Sequence, residues 1–193
     1  MQSKVDVRCP QCHFDGRVSM LSMSSEIPYF GEHTQITITC DSCGWKHTDF
    51  IPSDGDKEGF WSIIVDSLQK NSARIIRSSS CTIRIPELDL EVSPGGSASG
   101  YITNIEGVLK RFIDAVKSVI RDLENKDSDF QSAQELLQSL LSAVDGSNVL
   151  TVELLDPRGR SQIIHDEAES RDLNDSEISA LSTGPDLPVF EMD

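Results

Sequence analysis

Residues 8–16 read RCPQCHFDG, and residues 39–45 read TCDSCGW. Each stretch contains two cysteines that are separated by two residues. A Cys-x-x-Cys loop lets both thiolates reach one ion at about 2.3 Å, and Zn²⁺ accepts four thiolates in a closed tetrahedral site. The sequence therefore predicts one structural zinc ion, bound by Cys9, Cys12, Cys40 and Cys43.

A redox pair is the alternative function for a Cys-x-x-Cys loop. Such pairs are typical of a strand-to-helix turn with a lowered thiol pKa, and neither loop lies in that context. Gly44 directly follows Cys43 and permits a tight turn in which backbone N–H groups point toward sulfur, while His13 takes the matching place in the first loop. Cys81 stands alone in an apolar run and is interpreted as a small buried hydrophobe.

The charge of the chain is strongly negative and unevenly distributed. The formal net charge is −15 over 193 residues; residues 1–50 carry 4 Lys and Arg against 6 Asp and Glu, whereas residues 151–193 carry 3 against 11. Nucleic-acid binding depends on clustered cations, so this composition disfavours it. A neutral or basic protein partner suits such a surface better.

Neither a membrane span nor a signal peptide is predicted. No apolar run approaches the length of about 18 residues that a membrane span needs, and the first residues lack an apolar stretch. We therefore expect the protein in the cytoplasm. In that reducing compartment paired cysteines are typical of metal sites rather than disulfides.

Residues 1–52 are predicted to form a zinc ribbon. Between the cysteine pairs the alternating run TQITIT (34–39) predicts a strand, and Pro52, Gly55 and Gly59 then mark a boundary. Four short apolar runs beyond it have the spacing of strands in a small sandwich or barrel. They are SIIVDS (62–67), ARIIRSS (73–79), CTIRI (81–85) and LDLEV (88–92).

The apolar period becomes helical between about residues 104 and 144. Two stripes, over residues 105–123 and 130–144, are separated by a short polar turn and predict an antiparallel helical hairpin. Thr103 with Glu106, and Ser128 with Gln131, are interpreted as capping boxes at the two helix starts.

Strands return after the hairpin. VLTVELL (149–155) and RSQIIH (160–165) predict two of them, residues 169–181 predict a last short helix, and residues 186–193 form an acidic tail. The hairpin therefore interrupts one mainly β domain, which is predicted to span residues 53–185.

The sequence offers little to an enzyme. We find no nucleophile elbow, phosphate loop or dinucleotide fingerprint. His165 and Glu167 form the His-x-Glu half of an iron facial triad, but no further histidine follows them. His13 and His47 lie near the zinc loops and could replace a thiolate, although four cysteines leave them unneeded. We expect no enzymatic activity.

Five sequence blocks together resemble the ZPR-type zinc-finger family, in the same order. They are CPQC (9–12), EIPYFGEH (26–33), CDSCGW (40–45), RIPELDLEVSPG (84–95) and GYITNIEGVLKRF (100–112). The resemblance implies a mainly β fold with an α insertion: an N-terminal zinc ribbon followed by a double-stranded β-helix (barrel-like) domain that carries an α-helical hairpin. The chain contains one such unit, as archaeal members do.

The resemblance also implies a function. Family members bind translation elongation factor one-alpha and assist its folding, so this chain is expected to do the same for the archaeal equivalent. The alternative function is a zinc-ribbon protein that docks on RNA or on a ribosomal or transcription assembly.

The family blocks suggest partner-binding residues. Ile27, Pro28, Tyr29 and Phe30 would form an apolar tip between the cysteine loops, and exposed aromatic residues often dominate binding. The alternative is that Tyr29 and Phe30 pack the ribbon against the β-domain. Glu87 and Glu106 are the candidate carboxylates, with helix capping the favoured role of Glu106.

Overall fold

The N-terminal part of the chain is a four-stranded antiparallel sheet. The computed structural model describes residues 2–123 and 128–184. The sheet has the order β1-β2-β3-β4. Its strands are β1 (Gln2–Val5), β2 (Val18–Ile27), β3 (Gly31–Cys40) and β4 (Lys46–Pro52). We call residues 2–52 the ribbon.

The predicted strand between the cysteine loops is confirmed as the centre of this sheet. Along β3 the side chains alternate, so that Ile38 and Cys40 point to the apolar side, opposite Met20 and Val18 of β2. The sequence reading missed β2 and β4, because their runs are polar. Pairing to both edges of β3 gives them strand conformation, since strand formation depends on neighbours more than on intrinsic propensity.

A second, larger domain contains two antiparallel sheets. The five-stranded sheet has the order β12-β5-β10-β7-β8, and the three-stranded sheet has the order β11-β6-β9. The strands are β5 (Phe60–Val65), β6 (Arg74–Arg77), β7 (Thr82–Ile85), β8 (Leu90–Val92), β9 (Tyr101–Asn104), β10 (Leu150–Leu155), β11 (Gln162–Ile164) and β12 (Glu169–Arg171). Ile63 and Val152 from one sheet and Ile75 and Ile163 from the other share one apolar core. This arrangement confirms the predicted barrel-like double-stranded β-helix, or jelly-roll.

Two helices form the predicted insertion between β9 and β10. They are α1 (Ile105–Asp122) and α2 (Ser128–Val144). Val108, Leu109 and Phe112 of α1 and Leu140 of α2 are part of the jelly-roll core, so the hairpin packs against that domain. Within residues 2–123 and 128–184, no helix is both long and apolar enough to cross a membrane.

The predicted start of α1 is wrong by one residue. The N-cap is Asn104, whose side-chain oxygen accepts a hydrogen bond from the backbone N–H of Gly107 at 2.9 Å. Thr103 lies one residue before this N-cap, where its backbone is paired with Ile75 of β6. Glu106 is ion-paired with Lys110 at 2.6 Å instead of closing a capping box.

The second predicted capping box is not tested by the structure. Helix α2 begins at Ser128, and the residue before it lies outside the described residues. The box of Ser128 and Gln131 therefore stays a prediction.

Residues 169–181 form two elements rather than one helix. Their first part is β12, which pairs with the edge of β5, and their last part is α3 (Asp175–Ala180). Asn174 and Glu177 form a complete capping box at the start of α3. The sequence reading missed β12 because its three residues are polar and only the free edge of β5 makes them a strand. The predicted acidic tail at 186–193 lies outside the described residues.

The ribbon is attached to the jelly-roll along its edge strand β4. Asp49 is 1% exposed, and its carboxylate accepts hydrogen bonds from the backbone N–H and the hydroxyl of Ser79 at 2.9 and 2.8 Å. The guanidinium group of Arg160 lies 3.6 Å from the same carboxylate. The backbone N–H of Gly100 donates to the carbonyl of Thr48 at 2.7 Å. Polar contacts therefore fix the position of the ribbon.

Candidate metal centre

The four predicted zinc ligands meet at one point of the ribbon. The Sγ atoms of Cys9, Cys12, Cys40 and Cys43 all lie within 4.8 Å of one another. Cys9 and Cys43 are 3.8 Å apart, and Cys12 and Cys40 are 3.7 Å apart, measured between Sγ atoms. Corners of a tetrahedron with Zn–S bonds of about 2.3 Å are about 3.8 Å apart. The thiol positions therefore fit one tetrahedral zinc ion.

Two loops with similar backbone conformations contain these cysteines. One loop joins β1 to β2 and the other joins β3 to β4. In the first, the N–H of His13 donates to the carbonyl of Cys9 at 2.9 Å, and in the second the N–H of Gly44 donates to the carbonyl of Cys40 at 2.9 Å. His13 and Gly44 both adopt positive φ angles, 58° and 75°. The tight turn predicted at Gly44 and the matching position predicted for His13 are confirmed by this geometry.

Hydrogen bonds from backbone N–H groups lower the pKa of the thiols, whereas burial raises it. Burial by itself would raise the pKa of Cys9, but hydrogen bonds from the backbone N–H groups of Cys12 and Gln11 lower that pKa to about 7. The backbone N–H of Trp45 acts to lower the pKa of Cys43, whereas desolvation and the three neighbouring cysteine side chains raise it to about 12. A bound divalent cation would offset the mutual repulsion of the thiolates and so favour the deprotonated form of all four cysteines.

The histidines lie outside the metal centre. Within the part of the chain that the structure describes, the four cysteines are the one group of three or more possible metal ligands. His13 is exposed, and His47 is fully buried with its ring stacked on Trp45 at a centroid distance of 5.9 Å. The Nδ1 atom of His165 accepts a hydrogen bond from the backbone N–H of Glu167. The centre is thus formed by thiolates, which leave Zn²⁺ no open position.

The predicted apolar tip lies at the turn between β2 and β3. Phe30 is buried against His33, with 6% of its surface exposed, so it is not part of an exposed tip. Tyr29 is 70% exposed, and the guanidinium group of Arg74 lies 4.4 Å from its ring centroid. Arg74 belongs to the jelly-roll, so Tyr29 contacts both modules as the packing alternative expects. A partner-binding role for Ile27, Pro28, Tyr29 and Phe30 stays a prediction.

The two predicted carboxylates have local structural partners. Glu87 accepts hydrogen bonds from the backbone N–H of Thr151 at 3.0 Å and from its hydroxyl at 2.6 Å. Thr151 lies just beyond the residues of β10 that pair with β7, so Glu87 replaces a missing strand partner. Glu106 is ion-paired with Lys110 on α1. Their contribution to partner binding stays a prediction.

Sequence reasoning missed the residues that join the modules. Asp49, Arg160 and Arg74 lie in different strands and loops, and nothing in their local sequence indicates that they meet the other module. Such contacts arise from the tertiary arrangement alone. The burial of Asp49 within the polar run KHTDFIP indicates such a contact once the structure is known, because charged residues are rarely buried without a partner, but burial cannot be read from the sequence.

Comparisons with known proteins agree with this geometry. The family model of the ZPR1 zinc-finger domain matches residues 3–54, and that of the ZPR1 jelly-roll domain matches residues 69–179. A ZPR1-like protein of Pyrococcus horikoshii is 34% identical over 184 residues, which cover 94% of this chain and 82% of that protein. A ZPR1-like protein of Methanocaldococcus jannaschii is 32% identical over 184 residues, which cover 95% and 92%.

A eukaryotic relative shares the same unit at lower identity. The Schizosaccharomyces pombe protein named zinc finger chaperone zpr1 is 27% identical over 174 residues, which cover 86% of this chain and 37% of that protein. The matched zinc-finger domain contains all four cysteines, and the matched jelly-roll domain covers more than half of the chain. The centre is a single structural zinc site, and the chain belongs to the ZPR1 zinc-finger family.

Proposed function

We propose that this chain is a zinc-binding protein-interaction module without enzymatic activity, which binds the archaeal equivalent of translation elongation factor one-alpha and assists its folding. Membership of the ZPR1 family over both modules is the observation that carries this proposal. One relative is named a zinc finger chaperone. The elongation factor is the partner that the resemblance of the five sequence blocks implies.

Two physical features support the proposal. Four thiolates complete the coordination of Zn²⁺, so the ion has no free position for a substrate or an activated water. The net charge of −15 suits a neutral or basic protein surface better than a nucleic acid.

Assisted refolding of the elongation factor is the direct test. The cognate factor is unfolded in denaturant and diluted into buffer with or without an equimolar amount of the zinc-loaded chain, and recovered GTP binding is measured. We expect a higher yield of nucleotide-competent factor with the chain present. The Cys40→Ser variant, which lacks one zinc ligand, should give no increase.

Binding is measured in parallel by co-purification and titration. Native and freshly diluted factor are both tested, with GTP, with GDP and without nucleotide. Absence of binding at micromolar concentrations in every state would contradict the proposal. Capture of RNA instead, with an affinity that falls steeply as salt rises, would favour the RNA-docking alternative.

A further inference from the structure

An open groove lies on the outer face of the larger jelly-roll sheet. Its volume is about 650 Å³. The floor is formed by outward-pointing residues of neighbouring strands: Ile64 of β5 is paired with Thr151 of β10, and Ser62 of β5 is paired with Glu169 of β12. Ile63, between the two β5 residues, points inward and is 1% exposed. No described element of the chain covers this stretch of the sheet.

The walls of the groove are acidic. The lining contains four carboxylates, those of Asp66, Asp166, Glu167 and Glu169. The cation in the lining, Lys70, has its Nζ 3.1 Å from the carboxylate of Asp66 and 2.8 Å from that of Glu167. Its side chain is 8% exposed, so the positive charge is enclosed by two carboxylates. The lining therefore presents negative charge to any partner.

A further carboxylate contacts one of the residues that line the groove. Glu87 is hydrogen-bonded to the backbone and the hydroxyl of Thr151, which lines the groove. Burial alone would raise the pKa of Glu87, but these hydrogen bonds from Thr151 lower it below its usual range. Glu87 is therefore ionised at neutral pH and adds to the negative field.

Exposed aliphatic side chains accompany the acidic walls. Ile64, Leu68 and Val149 are 55%, 63% and 54% exposed. They lie at the same end of the sheet, because Val149 directly precedes the residue of β10 that is paired with Val65, and Leu68 follows β5 shortly after. A single exposed aliphatic residue is ordinary. Several of them beside a concave charged surface are typical of a protein-binding surface.

We propose that this groove binds a segment of a partner protein in which Lys or Arg side chains are interleaved with aliphatic ones. The cationic side chains would meet the carboxylates of the lining, and the aliphatic ones would cover Ile64 in the groove and the exposed Leu68 and Val149 near it. Nucleic acids, anionic lipids and acidic peptides are repelled by the same walls. The inference goes beyond the proposed function, since it holds whichever protein supplies the segment.

A synthetic peptide of alternating Lys and Leu is the probe, with a peptide of alternating Lys and Ser as its comparison. Binding of labelled peptide to the full chain is measured by fluorescence anisotropy at 150 mM salt, and its position by amide chemical-shift changes. We expect the largest shifts at residues 62–64 and 166–169. We expect the Lys-Ser peptide to bind about tenfold more weakly, because it lacks the aliphatic side chains.

Two double variants with the same net charge separate local binding from the overall field. Asp166→Lys with Glu169→Lys alters the groove, whereas Asp114→Lys with Glu135→Lys alters exposed positions on α1 and α2. We expect the groove variant to weaken Lys-Leu binding about tenfold, and the helix variant to change it by about twofold or less. Ile64→Ser, at an exposed position, should weaken binding without changing the charge.

Several results would overturn the inference. Equal weakening by both double variants would show that the peptide responds only to the net charge of the chain. Equal binding of the two peptides would remove the role of the aliphatic residues. Shift changes confined to residues outside 62–70, 149–151 and 166–169 would place binding elsewhere, and this map on the unaltered chain decides the matter if the groove variant does not fold. None of these results depends on the elongation factor.

Discussion

At the scale of single residues, the two zinc loops place His13 and Gly44 in the same left-handed conformation. Glycine reaches positive φ without a steric penalty, whereas a residue with a Cβ atom is disfavoured there by about 1 kcal/mol. The first loop tolerates this cost because zinc binding stabilises the turn far more strongly. The two loops are therefore similar in geometry but unequal in strain.

Gly44→Ala tests this conformational cost. A Cβ atom at Gly44 would meet no atom within 4 Å, so the effect comes from its φ of +75° alone. We expect the zinc-bound protein to lose about 1 kcal/mol of stability, measured by urea unfolding. Gly95→Ala is the matched control, since Gly95 also has open space but no positive φ. An equal loss of stability in Gly44→Ala and Gly95→Ala would show that the positive φ of Gly44 is not the cause.

Glu87→Ala tests the structural role of a residue predicted to bind a partner. The change leaves the N–H and hydroxyl of Thr151 without their acceptor, so we expect about 1 kcal/mol of destabilisation in thermal or urea unfolding. Because its hydrogen bonds lower the pKa of Glu87 in the folded state, its contribution is present above the unfolded-state pKa and is lost as pH falls through the lower, folded one. The difference from the unaltered protein should therefore shrink in acid. A difference that stays constant with pH would show that the charge of Glu87 is not involved.

At the scale of elements, the start of α1 depends on Asn104. Asn104→Ala removes the side-chain acceptor of the Gly107 N–H and should cost about 1 kcal/mol of stability in urea unfolding. Glu106→Ala is the comparison, because it removes only an exposed ion pair with Lys110, which should matter much less. A larger loss of stability in Glu106→Ala than in Asn104→Ala would instead support the capping box of Thr103 and Glu106 that the sequence predicts.

The elements predicted correctly are those whose own side chains carry the pattern. The apolar stripe of α1 has the period of its buried face, and β3 alternates between two faces, so both could be identified locally. β4 and β12 could not be predicted, because their polar residues become strands only through pairing with a neighbour. The zinc loops could be predicted, because four thiols at this spacing have few other uses. The acidic groove could not be predicted, because it combines residues from β5, β10 and β12, which are far apart in the sequence.

At the scale of the whole molecule, the two modules have separate cores joined by a polar contact. The ribbon cluster around Val18 and Ile38 and the jelly-roll cluster around Ile63 and Val152 share no residue. The contact between them centres on the buried carboxylate of Asp49. We therefore expect each core to persist when the contact is lost.

Asp49→Ala measures the strength of that contact. Removal of the carboxylate leaves the N–H and hydroxyl of Ser79 and the guanidinium of Arg160 without this acceptor, which should cost about 2 to 3 kcal/mol. Urea unfolding should show the loss, together with faster amide exchange at residues 78–80. Asp15→Ala removes an exposed carboxylate paired with Arg8 and should leave both readings almost unchanged. Unchanged exchange at residues 78–80 in Asp49→Ala would mean that other contacts hold the modules together.

Cys40→Ser tests whether zinc maintains the ribbon alone. A structural zinc ion contributes about 10 to 16 kcal/mol of apparent binding energy, and the ribbon core is small, so we expect it to unfold when a ligand is lost. The jelly-roll keeps its own core and should stay folded, with faster exchange only where Ser79 loses Asp49.

The two tryptophans make this division measurable, because Trp45 lies in the ribbon and Trp61 in the jelly-roll. When Trp61→Phe is combined with Cys40→Ser, the remaining Trp45 should have the fluorescence of an exposed tryptophan. When Trp45→Phe is combined with Cys40→Ser, Trp61 should still show a cooperative unfolding transition in urea.

Cys81→Ala is the control for loss of a thiol. Cys81 is buried in the jelly-roll and lies outside the metal centre, so elemental analysis should still find one zinc ion per chain. Simultaneous loss of both tryptophan signals in Cys40→Ser would show that the jelly-roll cannot fold without the zinc ribbon, because the contact at Asp49 would then be part of a single cooperative unit.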